Sequence, residues 1–107
     1  MSHVLIVDSD LIHIAELRDA LQAFHYRVTA CSDQRRAIDA VRTQLVDLVV
    51  MVSASTTGWK AEAELFRDLV RQLPNSPQIL CVLRKPYNGP SDRLDGDRLG
   101  ITVIYER

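Results

Sequence analysis

The stretch His3-Val4-Leu5-Ile6-Val7-Asp8-Ser9-Asp10 decides how this chain is read. Aliphatic and β-branched residues follow one another from Val4 to Val7 with no polar alternation, the pattern of a strand buried on both faces of a parallel sheet. The run stops at Asp8, and from Leu11 the apolar period becomes helical. Leu11, Ile14, Leu17, Leu21 and Phe24 recur at three- and four-residue steps, while Glu16, Arg18, Asp19 and Gln22 take the other side. The unit is a strand, an acidic turn and a helix.

Working outward, Leu48-Val49-Val50-Met51-Val52 is a second unalternating run and predicts another central strand. Arg27 to Cys31 alternates, with Val28 and Ala30 on one face and Arg27 and Thr29 on the other, which predicts a strand at a sheet edge. Ser32 or Asp33 can cap a second helix whose inner stripe is Ala37, Ile38, Val41 and Leu45. A loop over Ser53 to Gly58 leads to a third helix carrying Leu65, Phe66, Leu69, Val70 and Leu73, which Pro74 ends. Ile79 to Leu83 and Ile101 to Ile104 read as a fourth and a fifth strand. Between them, Pro86, Gly89, Pro90, Gly96 and Gly100 leave little apolar periodicity, so a fourth helix is short or absent. Strands alternating with helices specify an α/β fold, a doubly wound parallel sheet with helices on both faces.

Composition narrows the classes. The 107 residues are 47% apolar and 25% charged, which suits a single globular domain over residues 1–107 with a core of its own. Lys and Arg number 13 against 14 Asp and Glu, with no basic stripe, so no nucleic-acid partner is expected. No apolar run approaches the roughly 20 residues of a membrane span, and the N-terminus lacks a signal-peptide pattern. Cys31 and Cys81 have neither disulfide nor zinc spacing and read as small buried hydrophobes of a reducing, cytoplasmic protein.

In a doubly wound sheet, ligands bind beyond the carboxyl ends of the strands. That rule gathers Asp8, Ser9 and Asp10; Ser53, Ser55, Thr56 and Thr57; Arg84 and Lys85; and Tyr105, Glu106 and Arg107. Asp8 and Asp10 are the candidates for holding a metal, against the simpler reading in which Asp10 caps the first helix and Asp8 accepts loop amides. The Ser and Thr residues suit an anion contact or ordinary loop and cap hydrogen bonds. His3, His13 and His25 share no ligand spacing, and Trp59, the sole tryptophan, serves either helix packing or an interface. No glycine-rich phosphate loop follows the first strand, so no cofactor is expected.

Val4 to Asp10, the helix with Leu17 and Leu21, and Val46 to Met51 before a Ser-rich loop resemble the receiver domain of two-component response regulators. The resemblance implies the CheY-like strand order 2-1-3-4-5. It also implies a chemistry: an aspartate ending the third strand takes a phosphoryl group, and paired acidic residues after the first hold Mg²⁺. A hydroxyl ending the fourth strand and a lysine ending the fifth contact the phosphoryl group. Carried onto this sequence, the phosphoacceptor position falls at Val52, the acidic pair becomes Asp8-Ser9 with Asp10 beside it, the hydroxyl falls at Val82 and the lysine at Ile104. Arg84-Lys85-Pro86-Tyr87 looks like the family's Lys-Pro-aromatic signature but follows the fourth strand rather than the fifth. The resemblance therefore implies a degenerate, pseudo-receiver pocket built from Asp8, Ser9, Asp10 and Ser53, with no phosphoacceptor and no enzymatic activity.

Receivers carry a fifth helix for which no residues follow the fifth strand here. The expectation is an uncovered sheet face with apolar side chains from among Ile79, Leu80, Val82, Leu83, Ile101 and Val103, of which Ile79, Leu83, Ile101 and Val103 are taken as the interaction face. A protein partner or a second copy of the chain would cover it. The function expected is thus a signalling module that acts by phosphorylation-independent protein interaction. The alternatives are a phosphoacceptor using a displaced carboxylate and a flavodoxin-like domain binding a small ligand.

Overall fold

In the computed structural model, the run that opens the sequence is β1, His3–Val7, buried at every position. The structure describes residues 2–53, 59–74, 76–83 and 98–105. Ser55, Thr56, Thr57, Arg84, Lys85, Glu106, Arg107 and most of the segment read as a weak fourth helix lie outside the described residues. In chain order the elements after β1 are α1 (Leu11–Ala23), β2 (Arg27–Cys31), α2 (Gln34–Thr43), β3 (Leu48–Ser53), α3 (Trp59–Val70), β4 (Gln78–Leu83) and β5 (Thr102–Tyr105). All neighbouring strands pair parallel in the order β2-β1-β3-β4-β5. The doubly wound parallel sheet with the CheY-like order is therefore as expected.

Helix ends are set by local chemistry. Asp10 caps α1 by accepting from the amides of Ile12 and His13 at 3.0 and 3.2 Å, and Asp33 caps α2 by accepting from Arg36 N–H at 2.8 Å. At its other end α1 closes with His25 N–H on Gln22 and Tyr26 N–H on Leu21, while His25 holds φ 65° where glycine is usual. At the amino end of β1, the His3 ring meets the Leu45 carbonyl at 2.9 Å and the Thr29 hydroxyl at 2.7 Å. His3 is thus a buried, hydrogen-bonded core histidine.

The sheet separates two apolar layers. On one side Val49, Met51, Ile79, Cys81, Leu83, Ile101 and Val103 pack with α2 and α3 through Ala37, Val41, Trp59, Ala63, Phe66 and Val70. On the other, Ile14, Leu17 and Leu21 of α1 lie in a layer with Val4, Ile6, Val50, Val28 and Ala30, bordered by Leu48, Val52, Leu80 and Val82. Burying a side chain the size of Phe66 contributes about 2–3 kcal/mol, so the α2–α3 side holds most of the core.

This division corrects the expected interaction face. Ile79, Leu83, Ile101 and Val103 are buried beneath α2 and α3, with Leu83 fully inaccessible. The open side belongs to the alternate residues: Leu80 and Val82 are half-buried, and Ile104 is 42% exposed. Strand β5 also begins at Thr102 rather than Ile101. Helix stripes are narrower than the periodicity predicts: Leu11, Phe24, Leu45 and Leu65 are exposed, the first two because they sit at the ends of α1, beyond the sheet. Helix α3 instead begins at Trp59, whose ring is buried and which serves packing.

Candidate functional site

The carboxyl ends of β1, β2 and β3 open into a cleft of about 320 Å³. Asp8 and Ser9 line it from the β1 turn, Asp33 and Gln34 from the start of α2, and Val52 and Ser53 from the end of β3. Trp59, Glu62 and Cys81 also line it. Of the residues expected to form the pocket, the structure brings together Asp8, Ser9 and Ser53, with Val52, the phosphoacceptor position of the resemblance, beside them. Asp10 is turned to the surface, where its carboxylate caps α1.

Asp8 is the one buried carboxylate among the described residues, 4% exposed. Its Oδ1 accepts from Asp10 N–H at 3.0 Å, as expected of a loop-amide acceptor, and its own N–H donates to the Cys31 carbonyl at 3.1 Å. Oδ2 is engaged by Nδ1 of His13, a contact that sequence reasoning missed. Side chains of an α-helix tilt toward its N-terminus, so a residue in the first turn can fold back over the capping loop. His13, three residues after the cap, does so. Its position relative to Asp10 was the available signal.

The positions that would carry phosphoryl chemistry form one row. Val52 pairs in register with Val82, and Val82 with Ile104, and side chains opposite one another in adjacent strands share a face. The row is aliphatic throughout. In the β1 turn the acidic position that lines the cleft is Asp8, because the second is Ser9 and the Asp10 carboxylate caps α1. Mg²⁺ prefers several oxygen ligands in near-octahedral order, and among the described residues no group of three or more His, Cys, Asp or Glu could hold a metal ion. The donor set is smaller than the paired carboxylates and acceptor aspartate that the resemblance implies.

Cys31, at the end of β2, is a free buried thiol whose pKa is raised, chiefly by burial and further by the Asp33 carboxylate, with Arg36 opposing. A second cleft, about 430 Å³, lies near the amino ends of β4 and β5 between Arg67, Arg71, Gln78 and Thr102, away from the carboxyl-end turns. No helix of the described residues is long and apolar enough to cross a membrane.

No protein-family model matches the sequence, and no curated protein matches it. Solved structures do match. A response regulator from Thermotoga maritima superimposes with a TM-score of 0.81 at 17% identity, over 99% of this chain and 85% of that one. The chemotaxis protein CheY4 of Vibrio cholerae matches with a TM-score of 0.75 at 20% identity, over 99% and 85% of the two chains. The receiver domain of the Saccharomyces cerevisiae response regulator Ssk1, solved with the histidine phosphotransfer protein Ypd1, matches with a TM-score of 0.73 at 17% identity, over 98% and 78%. The three helices and five parallel strands among the described residues, in the order 2-1-3-4-5, agree with these likenesses: the chain has the fold of response regulator receiver domains.

Proposed function

We propose that this chain is a pseudo-receiver: a non-enzymatic signalling module of a two-component or related cytoplasmic pathway that acts by protein–protein interaction without aspartyl phosphorylation. The observation that carries the reading is the aliphatic row Val52–Val82–Ile104, which stands in one register across β3, β4 and β5 where acceptor, hydroxyl and lysine would be needed. A valine has no nucleophile, and Ser53, one residue along the strand, projects to the other face.

The same row supplies the partner surface. Helix α1 packs over β1 and β2, and among the described residues no helix covers β4 and β5 on its side of the sheet. Leu80, Val82 and Ile104, with Leu48 and Val52 behind them, form the apolar surface offered to a protein partner or a second copy of the chain. Ssk1 was solved with a protein partner, Ypd1, so a receiver fold engaging another protein has a solved example.

The test is incubation with acetyl phosphate and Mg²⁺, followed by intact-mass measurement. An unchanged mass is expected. A gain of one phosphoryl group that hydroxylamine removes would overturn the reading and point to a displaced carboxylate such as Asp33 or Glu62 in the cleft.

A further inference from the structure

We infer that His13 stands in for a divalent cation at Asp8, and that the acidic cleft is closed to such cations for this reason as well as for want of an acceptor carboxylate. A buried carboxylate must have its charge compensated. In receivers the metal contributes to that compensation. Here the Asp10 amide takes Oδ1 and the His13 imidazole takes Oδ2, and both side chains of the pair are shielded, at 12% and 3% exposure. This hydrogen bond is made within the chain, with no ligand to recruit.

A cation seated on Oδ2 from the side that His13 occupies would have to displace the imidazole. Displacing His13 would strand a shielded imidazole nitrogen. Nor is Asp33 a ready replacement ligand, since it already accepts from the Arg36 amide as the cap of α2 and lies 3.7 Å from the Arg36 guanidinium. Position 13 therefore excludes the ion independently of position 52. The inference stands whether or not a phosphoryl group is ever accepted, because it concerns the unphosphorylated protein alone.

The two causes separate in a pair of variants titrated with Mn²⁺ and Mg²⁺ by calorimetry. Val52→Asp restores an acceptor carboxylate, and Val52→Asp with His13→Ala also frees Asp8. At least tenfold tighter binding in the double variant than in Val52→Asp alone is expected. Equal affinity in the two, or no binding in either, would overturn the role of His13. Should the double variant fail to fold, the wild-type protein still decides: imidazole nitrogen resonances of His13 are expected to stay fixed as Mg²⁺ is added to millimolar levels. A saturable shift reporting release of Nδ1 from Asp8 would refute the inference.

Discussion

Replacing Leu83 by alanine should be among the most damaging single changes in β4, whereas Ile104→Thr, in neighbouring β5, should be nearly silent. Leu83 is wholly inaccessible and shares its layer with Trp59, Phe66 and Val103. Truncation loses the transfer energy of the buried carbons and leaves a hole among side chains held by two helices, about 3–4 kcal/mol together. For 107 residues, each kcal/mol lowers the melting temperature by about 4–5 °C, so a fall of about 15 °C is expected. Ile104 is 42% exposed on the opposite face. Threonine keeps its branched Cβ and its strand preference, and the change should stay within about 0.5 kcal/mol. Urea denaturation and thermal melts of both variants provide the measurement. A loss below about 1 kcal/mol for Leu83→Ala beside a loss above about 2 kcal/mol for Ile104→Thr would mean that the faces are reversed, and with them the proposed partner surface.

Three further outcomes are expected. His25→Gly should raise stability by about 0.5–1 kcal/mol in urea denaturation, because a β-carbon at φ 65° is strained and glycine relieves it; a destabilised variant would show that the ring contributes more than the strain costs. Asp33→Ala should cost about 1 kcal/mol through loss of the α2 cap, read as a lowered melting temperature, with Asp33→Asn recovering most of it. In a Cys81→Ala background, Cys31 should alkylate with a pH midpoint above that of an ordinary thiol, since burial and Asp33 favour its protonated form. The folded protein then holds this proton more tightly than the unfolded chain, so the contribution to stability is complete below the ordinary thiol value and declines as pH rises through the native one. An ordinary alkylation profile would contradict it.

Much of the architecture was legible because parallel strands buried on both faces leave an unbroken apolar run. His3–Val7 and Leu48–Ser53 are the central strands β1 and β3, and the alternating Arg27–Cys31 is an edge. The caps Asp10 and Asp33 were legible for a related reason, being short polar side chains immediately before a change of period. The same unbroken runs hide which way each residue points. Nothing in Gln78-Ile79-Leu80-Cys81-Val82-Leu83 marks Ile79 and Leu83 as core and Leu80 and Val82 as border, since all four are equally apolar.

The alternation of strands and helices, the acidic turn after β1 and the absence of a carboxylate at position 52 can be read along the chain, because periodicity, caps and residue identity are local. The remaining features arise from packing. Register aligned Val52, Val82 and Ile104 into one aliphatic row, although they lie far apart along the chain. The docking of α2 and α3 chose which half of each strand became core. The backward tilt of the first turn of α1 joined His13 to Asp8. Each of these depends on what lies across a strand pair, a layer or a cap, and no pattern along the chain encodes that distance.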